Sequence, residues 1–81
     1  MMRCDIHSIE KTLFSGRVRR ITLLTDRGQI TVLGYHQPLV STVITGPVEI
    51  EEESGTEHRY DFGAGFLEVL PENQGIVLLE S

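Results

Sequence analysis

The chain has 81 residues and a formal net charge of −5. That is one domain with a thin core, because a chain this short buries only about 60–65% of the surface it exposes when unfolded. An acidic domain lacks the electrostatic footprint of a nucleic-acid binder, and in the one basic cluster, Arg17, Arg19 and Arg20, alternation puts Arg17 and Arg19 on one solvated strand face. The single Cys4 excludes an internal disulfide, which fits a reducing compartment or indifference to redox. The apolar runs are too short to span a membrane, and the first residues do not lead into a signal peptide.

In chain order, Arg3 to Ile9 alternates, with Cys4 and Ile6 on one side and Asp5, His7 and Ile9 on the other. Leu13-Phe14-Ser15-Gly16 is a second short apolar piece. Arg17 to Leu24 carries the clearest strand signature, bounded by Gly16 and by Asp26-Arg27-Gly28. Val18 and Ile21 lie an odd distance apart, which predicts a bulge or a change of buried face at Arg19-Arg20. Gly28 closes a turn before the short strand Ile30 to Leu33, and Pro38 pushes Gln37 out of helical geometry. The Gly34–Pro38 stretch then reads as a stiff corner showing Tyr35, His36 and Gln37. Leu39 to Thr45 is rich in β-branched residues and stops at Gly46-Pro47.

Val48 to Glu53 and Glu57 to Phe62 read as a hairpin around Ser54-Gly55. Val48, Ile50, Tyr60 and Phe62 point inward in this reading, and Glu49, Glu51 and Glu53 form a solubilising outer face. Phe66 to Leu70, a Pro71–Gly75 turn and Ile76 to Leu79 complete the chain. The pattern predicts an all-β, two-sheet sandwich of about nine to ten short strands, residues 1–81 forming a single domain. The expected core is Ile6, Phe14, Val18, Ile21, Leu23, Ile30, Val32, Ile50, Phe62, Phe66, Leu67, Val69 and Val77.

Chemical machinery is missing from this pattern. Cys4-x-x-His7 has a ligand-like spacing, but no second pair completes a tetrahedral metal site. No glycine-rich phosphate loop opens a helix, and no serine sits in a nucleophile elbow. The carboxylates gather at the hairpin tip, where solvent keeps them ordinary and unsuited to acid–base work.

Three segments nevertheless meet in a consistent order. They are Leu13-Phe14-Ser15-Gly16-Arg17-Val18, Leu33-Gly34-Tyr35-His36-Gln37-Pro38-Leu39 and Gly63-Ala64-Gly65-Phe66-Leu67-Glu68-Val69, followed by Asn73 to Leu79 as a last strand. With them the chain resembles, from about Arg3 to Ser81, the N-terminal β-sandwich domain of the epsilon subunit of rotary (F-type) ATP synthases. Gly34 stands where that family usually has proline, Gln29 where many members carry glutamate, and Thr31 where glycine is common.

The resemblance implies a non-catalytic central-stalk subunit that links the gamma subunit to the membrane c-ring. It implies no cofactor, no metal, no nucleotide and no membrane insertion, and a peripheral place at the cytoplasmic face of the inner or plasma membrane. The matching partner-binding candidates are Arg27, Gly28, Gln29, Tyr35, His36, Gln37 and Pro38. The Gly28-Gln29 turn and the Tyr35–Gln37 corner are expected at one end of the sandwich, as a ring-facing surface. The sequence stops at Glu80-Ser81, where the family continues into a C-terminal helical hairpin that brakes hydrolysis. An adaptor without that brake is the corresponding expectation. The competing reading is a free-standing β-sandwich module that binds a ligand or a protein.

Overall fold

A computed structural model describes residues 2–35 and 37–80, with Phe62 described by its backbone alone. The expectations at His36 and for the Phe62 side chain lie outside the described residues. Eight strands and no helix are present among them: β1 (Met2–His7), β2 (Thr12–Thr25), β3 (Gly28–Leu33), β4 (Leu39–Val43), β5 (Gly46–Glu52), β6 (Glu57–Phe62), β7 (Gly65–Leu70) and β8 (Gln74–Leu79). The two pieces expected on either side of Gly16 are one 14-residue strand, β2, which lowers the count from the nine or ten expected.

β2 belongs to both layers. Val18 pairs with Met2 of β1 and with Glu52 of β5, and Arg20 pairs with Leu33 of β3 and with Glu51 of β5. A strand has two edges, so β1 and β3 share one edge of β2 and β5 takes the other. From β1 the second layer continues through β8 and β7 to β4, and Val43 of β4 returns to Thr25 at the end of β2. β3 and β6 each have a single strand neighbour.

One strand can serve two layers because its buried face changes partway along. The register of β2 against β5 slips between Val18 and Arg20, at the predicted bulge. The buried set accordingly passes from Val18 to Ile21 and Leu23. Around β2, alternation sends Met2, Cys4, Ile6, Val48, Ile50, Leu67, Val69, Val77 and Leu79 into one core with Val32 and Val43. Nine of the expected core residues are buried. Phe14 and Ile30 are only partly buried, and Met2, Val43 and Leu79 join the core unforeseen.

Phe66 is the clear exception, at 53% exposure. Neighbours on a strand face opposite ways, so Phe66 and Leu67 cannot both point inward. β7 is phased by Gly65, Leu67 and Val69, all buried. Gly65 fixes that phase because a Cβ there would lie 1.9 Å from the Leu78 carbonyl oxygen. Phe66 is left on the outer face opposite Leu78, itself exposed.

The β5–β6 hairpin forms as expected, but its acids are more engaged than a solvated face implies. Arg20 Nε reaches Glu51 at 3.0 Å and its terminal nitrogen reaches Glu57 at 2.8 Å. His58 Nε2 lies 2.6 Å from Glu52 Oε2, with its ring 5.4 Å from that of Phe14. Cys4 and His7 face opposite sides, Cys4 into the core and His7 toward Thr12 at 3.0 Å, so their spacing makes no shared ligand site.

Candidate functional site

The partner-binding candidates fall into two groups at the two ends of β3. Arg27, Gly28 and Gln29 form the tip of the β2–β3 hairpin, where Thr25 pairs with Gly28. Tyr35, Gln37 and Pro38 follow Leu33, whose partner is Arg20 far down β2. Five steps along a strand at about 3.4 Å each set the groups roughly 17 Å apart. The expectation that they share one end of the sandwich is therefore corrected, since the stretch of β3 from Ile30 to Leu33 stands between them.

The tip is built by Thr25. Its buried hydroxyl donates to the Gly28 carbonyl at 2.8 Å and accepts the Arg27 N–H at 3.1 Å. Those two bonds fold a two-residue connection, Asp26-Arg27, tightly over the strand end. Gly28 has φ +112, a backbone state that side chains disfavour although a Cβ would meet no neighbour. Arg27 and Gln29 are exposed, and the side chain of neither makes a hydrogen bond among the described residues. Beside the tip opens a cleft of about 430 Å³, with Asp26 and Arg27 on one lip, Ser41 and Thr42 on the other, and Ile30 and Leu39 on its apolar side.

The corner is held from outside. Tyr35 has φ +64, uncommon for a residue with a side chain. Its N–H donates to the Asn73 side-chain oxygen, while the Asn73 carbonyl accepts the Arg3 N–H at 2.8 Å. Asn73 and Glu72 are themselves left-handed, at φ +59 and +70, in the turn between β7 and β8. One asparagine thus ties the corner, β1 and β8 together and leaves the Tyr35 ring 86% exposed. Thr25 and Asn73 are the residues that the sequence reading missed. Asn73 showed only as part of a Pro-Glu-Asn turn, and nothing in that turn named the Tyr35 corner as its partner.

No group of three or more His, Cys, Asp or Glu side chains that could hold a metal occurs among the described residues. No helix there is long and apolar enough to cross a membrane. The Cys4 thiol is pushed up to about 12, chiefly by burial and secondarily by Asp5. It is a packing group rather than a nucleophile at neutral pH.

Comparison with known proteins gives a consistent picture. Residues 1–80 match the model of the ATP synthase, Delta/Epsilon chain, beta-sandwich domain. The chain is 39% identical over 70 residues to the ATP synthase epsilon chain of Chromohalobacter salexigens, covering 86% of this chain and 50% of that protein. The ATP synthase epsilon chain of Acinetobacter baylyi is 34% identical over the same shares. The chain thus spans about half the length of the curated relatives it matches. Among solved structures, a chain of the Euglena gracilis mitochondrial ATP synthase (OSCP/F1/c-ring) superposes with a TM-score of 0.92 at 22% identity, over 99% of this chain and 51% of that one. A chain from the central stalk and c-ring of the Tetrahymena thermophila mitochondrial ATP synthase gives 0.82 at 17%, over 99% and 63%. At those identities the superpositions speak for the fold, and the family rests on the domain match. The chain belongs to the ATP synthase delta/epsilon family, whose β-sandwich domain its residues 1–80 form.

Proposed function

We propose that the chain is a non-catalytic central-stalk subunit of a rotary ATP synthase, joining the gamma subunit to the c-ring and peripheral to the membrane. The observation that carries this reading is the domain match over residues 1–80. The geometry is suited to it. A rotor adaptor transmits torque between two partners, so it needs a stiff body with two separate docking surfaces and no reacting groups. A sheet folded back on β2 supplies the body, and the ends of β3 supply two exposed polar groups roughly 17 Å apart.

The hairpin tip, Arg27-Gly28-Gln29, faces the polar loops of the ring in this proposal. The Tyr35–Pro38 corner, with its exposed aromatic ring, faces gamma. Tyrosine suits the second role because a stiff amphipathic ring adds contact area at small entropic cost. The subunit takes up no nucleotide and no cofactor.

Site-directed cross-linking tests this. Cysteine placed by Gln29→Cys is expected to link to subunit c, and cysteine placed by Tyr35→Cys to gamma, in an assembled enzyme. Linkage of both to one subunit would remove the assignment of the two ends. Failure of the chain to assemble with any stalk subunit would leave only the free-standing binding module.

A further inference from the structure

The two outer faces of the folded sheet differ in kind. Where β2, β5 and β6 lie side by side, the outward positions carry Arg20, Glu49, Glu51, Glu57, Arg59 and Asp61. Arg20 bridges Glu51 and Glu57, and Arg59 lies 3.4 Å from Asp61. That face is charged, partnered within itself and suited to water.

The face that β4, β7 and β8 turn outward is apolar. Pairing sets it in two rows, one of Thr42, Phe66 and Leu78 and the other of Val40, Glu68 and Ile76. Val40 is 72% exposed, Phe66 53% and Leu78 50%. Glu68 is the single charged residue in the sequence of these three strands. It is exposed, and its side chain makes no hydrogen bond or ion pair among the described residues. Nor does it guard an edge, because β7 is paired on both sides, with β4 and with β8.

Glu68 selects what can cover this face. A carboxylate flanked by Val40, Phe66 and Ile76 loses water when the face is covered, and then needs a cation beside it. An anionic lipid surface would repel it. A second copy would bring the same three strands, with another carboxylate and no cation. The face fits a protein surface of apolar side chains set around one lysine or arginine.

We infer that the outer face of β4, β7 and β8 is part of the gamma-docking surface, and that Glu68 pairs there with a basic side chain of gamma. This rests on the stalk reading and extends it from the Tyr35–Pro38 corner down the sheet. The corner adjoins the face, because Leu39, next to Pro38, pairs with Val69, and Asn73 of the β7–β8 turn holds the Tyr35 N–H. Phe66 is the aromatic anchor of the contact. Glu68 sets its specificity, since a partner without a cation would leave the carboxylate buried and unpaired.

Binding of the purified chain to an F-type ATP synthase stripped of its epsilon subunit tests this, read as dissociation constants for a set of variants. Glu68→Gln keeps the shape and removes the charge, and is expected to weaken binding about tenfold. Glu68→Lys sets two cations together and is expected to weaken it about a hundredfold. Phe66→Ala removes the anchor and is expected to weaken it about tenfold or more. Glu68 is exposed, so both of its variants should melt within a few degrees of wild type, which separates lost docking from lost fold. Glu49→Gln, on the charged face, should leave the dissociation constant unchanged. Wild-type affinity retained by Glu68→Lys or by Phe66→Ala would overturn the inference while leaving the stalk reading in place. A folded wild-type chain that does not bind at all would overturn the stalk reading, and this inference with it.

Discussion

Leu67 and Phe66 are neighbours of opposite fate. Leu67 is fully buried, and its truncation to alanine is expected to cost about 2–5 kcal/mol, out of the roughly 5–15 kcal/mol that holds a domain. Phe66 is half exposed and touches the core little, so Phe66→Ala is expected to cost about 1 kcal/mol or less, mainly its cross-strand pairing with Leu78. Urea unfolding of the two variants checks the order, and equal losses would refute the phase of β7. Gly65→Ala is the companion test. The backbone carbonyl of Leu78 cannot move aside like a side-chain tip, so about 3 kcal/mol or more should be lost.

Cys4 links a single residue to pH. Its pKa rises from 9.0 when free to about 12 when folded. The neutral thiol is therefore the form that the fold prefers. The stabilisation is complete below pH 9 and is lost as pH climbs from there toward 12. Denaturant midpoints are expected to hold steady up to about pH 8.5 and to fall above it, and Cys4→Ala should flatten that fall. Tyr60, also raised by burial, acts in the same direction. A wild-type midpoint as flat above pH 9 as below it would contradict the burial of the thiol.

At the scale of elements, β2 shows what the sequence reveals and what it hides. The odd interval between Val18 and Ile21 gave away the bulge, because alternation is a property of the strand itself. Gly16 misled, since a glycine in a strand interior looks like a terminator until neighbouring strands are known to pair through it, as Cys4 does. Phe66-Leu67 was ambiguous because both are apolar, and the decision came from Gly65 meeting the backbone of β8. The turn at the tip was legible from Asp26-Arg27-Gly28, whereas its choice as a partner-binding candidate came from the family resemblance. That it stands at the far end of β3 from Tyr35 follows from strand length and register, and Asn73 enters from a turn almost forty residues away. The bulge also makes a prediction. Deleting Arg19 would leave Val18 and Ile21 two positions apart, the spacing that keeps both on one face of a regular strand, so the variant is expected to remain folded by circular dichroism at 25 °C.

At the scale of the whole molecule, the chain is one packed body with two exposed ends of β3. β2 runs through both layers, one core joins them, and strand pairing is continuous from the hairpin tip at Gly28 to Leu33 beside the Tyr35 corner. Such a body can couple two partners while performing no chemistry of its own. The most direct measurement is a titration of the purified chain into an F-type ATP synthase stripped of its epsilon subunit, followed by native mass spectrometry of the gamma–c-ring stalk. Saturation is expected at one chain per stalk, with occupancy lowered by changes at both the tip (Gln29) and the corner (Tyr35). A stalk that takes up no chain at saturating concentration, with the chain itself shown to be folded, would contradict it.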